Sequence, residues 1–149
     1  MISQAELDLM VEEHKTSNPF YFEGQRDSAL SLDEINRIKI AHGVRFPEAY
    51  VHHLTTHGAR EFALGWIYSP DPASGWSLWK DFDGYIPHLR SKAIPISDNG
   101  CGDYYCFPII DDICEDRIVW ADHEKDYVFA PSDFENFRDF ILNNCLNAA

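Results

Sequence analysis

Three histidines stand close together, His52, His53 and His57, in the order HHxxxH. On a helix, residues four apart share a face, so His53 and His57 have the spacing at which two imidazoles grip one metal ion. A hydrolytic zinc helix also needs a glutamate directly after its first histidine to activate water. Leu54 holds that position. The alternative is a structural one: solvent-facing histidines near a helix C-terminus, where the dipole favours positive charge. A fourth histidine, His123, lies between Asp122 and Glu124. Imidazole beside carboxylate is a pairing for proton transfer near neutral pH. No serine or cysteine with a recognisable nucleophile signature stands nearby, and a strand-end turn is the alternative.

The segment DNGCGD, residues 98–103, has the glycines of a phosphate-cradling loop. Its flanking aspartates would repel the phosphate, and its Asn and Gly content fits a tight hairpin turn. In DDICED, the acids Asp111, Asp112, Glu115 and Asp116 lack the alternating register and central glycine of a calcium loop. They form a solvated turn or a partner-facing patch. Cys101, Cys106, Cys114 and Cys145 include no CxxC pair, so free thiols are expected. Neither a metal nor another cofactor is expected.

Charge separates these options. The 149 residues carry 25 acidic and 12 basic side chains, a net −13. Residues 1–97 hold a net −4 and residues 98–149 a net −9. Such a half repels nucleic acid. It suits a basic protein, whose encounter complementary fields accelerate. Solubility alone is the competing explanation. Tyr104 and Tyr105 point to opposite faces if they share a strand, so one of them faces outward or into an interface. The candidate partner-binding set is Asp111, Asp112, Glu115, Asp116, Asp122, Glu124 and Tyr105.

The elements that must position these residues follow from periodicity. A helix from Ser3 to about Lys15 opens on a capping box with Glu6, and Leu7, Met10 and Val11 share a face. A second follows Ser31, boxed by Glu34, with Leu32, Ile35, Ile38 and Ile40 as apolar contacts and Gly43 at its end. A third is entered at Pro47 and stopped by Gly58. A strand is expected over EFALGWIYS, then a short helix or packed loop around Trp76 and Trp79. Further strands are expected at AIPIS, YYCFPII, RIVWA and YVFA, joined by turns that include DDICED. A closing helix starts after Ser132, boxed by Glu135, with Phe134, Phe137 and Ile141 on its inner face. The expected fold class is α+β, with a largely antiparallel sheet, helices at the N-terminus and a closing C-terminal helix. The length suits one domain over residues 1–149. No apolar run reaches the roughly 18 residues of a membrane helix. The N-terminus lacks a signal peptide's basic and apolar regions, so a cytoplasmic, membrane-free protein is expected.

The order of RFPEAYVHHLTTHG, AIPISDNGCGDYYCFPI, RIVWADHE and SDFENFRDFI resembles the SUKH superfamily over about residues 31–145. The N-terminal helix and connector, residues 1–30, lie outside the matched core. The doubled glycine that many members carry after the Pro-entered helix is His57, Gly58 and Ala59 here. The resemblance implies a non-catalytic binding module. Bacterial members are commonly immunity proteins, encoded beside a toxin and neutralising it by contact. The implied partner is a cognate toxin domain, basic and of the nuclease type. A regulatory scaffold binding a host protein is the second option, since the superfamily includes a fungal cell-wall regulator. An enzyme using His123 or the His53/His57 pair is the third.

Overall fold

Ser3 and Ser31 each open a helix, as their spacing predicts. In the computed structural model, which describes residues 1–84 and 86–147, α1 spans Gln4–Ser17. Ser3 Oγ accepts from the Glu6 amide, and Glu6 accepts from the Ser3 amide at 2.8 Å. Ser31 and Glu34 repeat the device for α2 (Leu32–His42). Each box satisfies amides that a helix start leaves without partners. Leu7, Val11, Ile35 and Ile38 are buried. Leu32 and Ile40 are not: they are 64% and 81% exposed, outside the arc set by Ile35 and Ile38. α3 (Glu48–Thr56) begins one residue later than predicted, with Pro47 as its cap.

The run expected as one strand is a hairpin, β1 (Arg60–Phe62) and β2 (Gly65–Ile67). Ala63 turns the chain with φ 50°, and Leu64 is 45% exposed. Contact with the C-terminal segment fixes this turn. Leu64 N donates to Cys145 O at 3.0 Å, and a Cβ on Gly65 would lie 2.6 Å from Cys145 Sγ. Only glycine admits so close an approach. The tryptophan segment forms α4 (Leu78–Gly84), whose Trp79 and Phe82 are buried. Tyr85, in the same segment, lies outside the described residues.

The main sheet has the order β3 (Ala93–Asp98), β4 (Tyr104–Ile110), β6 (Val119–Asp122), β7 (Val128–Pro131), all antiparallel. β5 (Ile113–Cys114) pairs with the far end of β4, so DDICED is not a turn throughout but contains a short strand. Asp111 and Asp112 alone make the turn, at φ 51° and 62°, the left-handed pair that a tight hairpin needs. The outer edge of β3 is covered. Its register slips between Pro95 and Ser97, where Ile96 O accepts from Tyr68 N at 2.8 Å and Ser97 Oγ donates to Trp66 O.

The closing helix starts later than predicted. α5 spans Phe137–Phe140 and runs into a π-helical turn, Ile141–Leu146. Its cap is Asn136, whose side chain accepts from Asp139 N at 2.9 Å. Ser132 is engaged elsewhere: its Oγ accepts from Phe134 N at 3.1 Å while its hydroxyl donates to Ile118 O at 2.7 Å. In the core, Tyr50 meets Phe107 and Phe137 edge-on, each at 5.4 Å, and its hydroxyl donates to Tyr68 O at 2.7 Å. Truncating a ring buried like Phe137 costs about 3–5 kcal/mol. The observed fold is thus α+β, as expected.

Candidate partner-binding surface

β4 carries acidic groups at both of its ends, roughly 20–25 Å apart at the usual rise of a strand. The proximal pole is the 98–103 turn together with the β6 end. Asp98 accepts from Trp66 Nε1 at 3.1 Å, from the Tyr68 hydroxyl and from Gly100 N at 2.7 Å. Asn99 Oδ1 accepts from the amides of Cys101 and Asp103. Asp103 accepts from Asn99 Nδ2 at 2.8 Å, and from His123 N at 2.9 Å and Nδ1 at 2.6 Å. Burial raises the Asp103 pKa, but the His123 and Asn99 hydrogen bonds outweigh it and hold the carboxyl below its ordinary value. The same contact lifts the His123 pKa. Gly102, at φ 99°, leaves room for this ring, since a Cβ there would sit 3.2 Å from His123 Nδ1.

DNGCGD is therefore the β3–β4 turn, its aspartates bonded inward. His123 pairs with Asp103, twenty residues away, and not with its sequence neighbours. Asp103, Asp122 and His123 bring ligand atoms within 4.8 Å of one another. These atoms already serve the turn: Asp103 holds His123, and Asp122 Oδ1 accepts from Glu124 N to cap the His123–Lys125 turn.

The distal pole is built differently. Asp111 and Asp112 are exposed at the tip of the β4–β5 hairpin, and among the described residues no hydrogen bond or ion pair reaches their carboxylates. Ile110 and Ile113 beside them are 49% and 48% exposed. Glu115 pairs with Arg117 at 2.8 Å. Asp116 Oδ1 accepts from Phe137 N at 3.0 Å, placing a carboxylate at the start of α5. Tyr105 is half-buried among Trp120, Phe134 and Phe140, while Tyr104 is buried. Burial and the nearby Asp133 raise the Tyr105 pKa. Of the seven candidates, Asp111, Asp112 and Glu124 thus present carboxylates that are unengaged among the described residues, Glu115, Asp116 and Asp122 accept hydrogen bonds within the fold, and Tyr105 packs under the closing segment. Sequence reasoning missed the exposed isoleucines. Their signal is an Asp-Asp turn set directly between two apolar residues.

The HHxxxH histidines form no ligand set. His53 is 4% exposed, edge-on to Phe62 and Phe137, with Nε2 unpartnered among the described residues. Burial keeps its pKa well below the ordinary value, and burial with Lys15 nearby brings His57 to about 4. His52 turns instead toward Asp8 of α1, at 3.2 Å. The cavity beside them has a volume of about 10 Å³, enough for about one water. Cys106, Cys114 and Cys145 are buried free thiols, and burial pushes Cys114 and Cys145 up to about 12. No helix of the described residues is long and apolar enough to cross a membrane.

Residues 29–143 match the model of the SMI1/KNR4 family (SUKH-1). The chain belongs to this family. A comparison with curated proteins finds no match. The matched span opens just before the Ser31 cap and closes within the π-helical turn, so α1 precedes it. The SUKH core sets Tyr50 of RFPEAY at the aromatic centre and the 98–103 turn against His123. Membership is consistent with an immunity or regulatory binding role, and members are generally non-catalytic proteins that bind other proteins.

Proposed function

We propose that this chain is an immunity-type inhibitor that neutralises a basic, nuclease-type toxin domain by direct binding, with no catalysis of its own. The observation that carries the reading is the exposed Asp111–Asp112 hairpin tip, flanked by exposed Ile110 and Ile113, on the half of the chain that holds net −9. Unengaged carboxylates speed encounter with a basic face, and adjacent apolar side chains anchor the docked state. Glu124, Asp122, Glu115 and Asp116 extend the same negative field.

The test is co-expression with the product of the neighbouring gene, followed by affinity measurement at low and high salt. Tight, salt-sensitive binding that abolishes the partner's toxicity is expected. Neutralising Asp111, Asp112, Glu115 and Asp116 together should slow association and flatten its salt dependence. No binding to that partner removes the reading and leaves the regulatory scaffold, for which loss of the gene is harmless to the cell.

A further inference from the structure

β7 is the last strand of the main sheet, and among the described residues no strand pairs with its outer side. The opposite edge is closed by Tyr68 and Trp66. An open edge offers a row of backbone donors and acceptors to any extended chain that reaches it. Here the edge is also apolar: Val128 is 65% exposed, and Ala130 and Pro131 are exposed. Beside it runs an open groove of about 340 Å³, lined in part by Ile118, Phe129, Pro131 and Phe134.

The surrounding charge selects the occupant. Asp122, Glu124 and Asp126 lie at the start of β7, and Asp133 and Glu135 follow its end, with Lys125 the one lysine or arginine in that stretch and His123 paired with Asp103. Arg117 at the groove end is paired with Glu115. A second copy is a poor fit. Two β7 strands paired antiparallel would bring the Asp126 end of each against the Asp133 end of the other, and like charges across a pair destabilise it. A basic strand meets attraction at both ends. It can drop alternate apolar side chains into the groove while its backbone pairs with β7.

We propose that the β7 edge receives an extended segment of the partner protein in which basic and apolar residues alternate, and that this segment is paired as an added strand. The inference deepens the proposed immunity role by naming how the toxin domain is held.

The probe is a capped peptide, Lys-Val-Lys-Val-Lys-Val-Lys, titrated into the isotope-labelled full chain and followed by amide shifts and hydrogen exchange. Saturation should slow exchange of the β7 amides that face away from β6 by about tenfold or more, the mark of new backbone pairing, while the β7 amides already bonded to β6 keep their protection. Val128→Lys with Ala130→Lys, both at exposed positions, should weaken binding by about tenfold or more, since lysine on an edge opposes a basic strand. Glu12→Gln with Glu13→Gln, two exposed positions on α1, should leave it unchanged. Shifts scattered over the acidic residues without protection of β7 would overturn the inference, as would a β7-mediated dimer in sedimentation. The edge and the function fail separately. Toxin neutralisation that survives Val128→Lys with Ala130→Lys sinks the edge alone. Peptide pairing without any toxin binding sinks the immunity role alone.

Discussion

The two ends of β4 carry the same kind of side chain and use it in opposite ways. At the proximal end, Asp98 and Asp103 take hydrogen bonds from an indole, a phenol, an imidazole, an amide side chain and backbone amides. Their charge holds a loop in shape. At the distal end, Asp111 and Asp112 sit exposed on a two-residue turn where, among the described residues, no donor reaches their side chains, and their charge is left to solvent. The number of carboxylates on a surface therefore does not measure what a partner can use. A carboxylate already surrounded by donors keeps its charge but has its acceptor sites filled, so a partner gains little by bonding to it. One without donors acts at the range of the Debye length, about 8–10 Å in ordinary salt.

The sharpest way to break this contrast is to remove acids from each end in turn. Asp98→Ala leaves Trp66 Nε1, the Tyr68 hydroxyl and Gly100 N without their acceptor. It should lower the unfolding free energy by about 2–4 kcal/mol, as expected for losing several hydrogen bonds to a charged group. Asp111→Asn with Asp112→Asn should shift it by no more than about 0.5 kcal/mol, because Asn keeps the left-handed turn and no contact is lost. Chemical denaturation of the three proteins checks both. Equal losses at the two ends would erase the distinction between them.

The next effect is kinetic and runs the other way. With a basic toxin domain as partner, Asp111→Asn with Asp112→Asn should slow association by about tenfold at low salt, with little change once salt is raised. Asp122→Asn should slow it far less, because it removes one charge instead of two and does so at the opposite end of β4. Stopped-flow association at two salt concentrations separates them. A larger loss from Asp122→Asn would move the docking face to the proximal end.

How much of this could be read from the sequence depends on the range of the forces involved. Local ones were legible. The Ser3–Glu6 and Ser31–Glu34 boxes, the Gly43 stop and the turn at residues 98–103 depend on neighbours within four residues, and they formed where spacing put them. The Ser132–Glu135 box has the same spacing and did not form. Ser132 is drawn to Ile118 O, fourteen residues away, and Asn136 caps α5 instead. The Arg60–Ile67 hairpin was hidden for a related reason, since Ala63–Leu64 carries no turn residue and is set by the C-terminal segment. The candidate surface shows the same limit. DDICED was legible as an acidic patch, but Glu115 meets Arg117 and Asp116 meets the start of α5, so only its first two acids stand open. Nothing at positions 122–124 told of Asp103.

The Asp103–His123 contact gives the smallest effect and the finest test of how the proximal end works. The Asp103 pKa lies below its ordinary value, so its contribution is present above the unfolded carboxylate pKa near 4 and fades as pH falls through the folded one. The His123 pKa lies above its ordinary value, so its contribution is present below about 6.5 and fades as pH rises through the folded one. The pair is worth most between those limits, and salt weakens it because His123 is solvent-exposed. The stability difference between the natural chain and Asp103→Asn should therefore peak at about pH 4–6.5 and narrow on both sides. His53 and His57 act in the opposite sense. Their folded pKa values are depressed, so their contributions are lost as pH falls below about 6.5. Both proteins carry them, so the term cancels in the difference. A difference that stays flat across this range would mean that Asp103 holds the turn through its hydrogen bonds alone, with its charge playing no part.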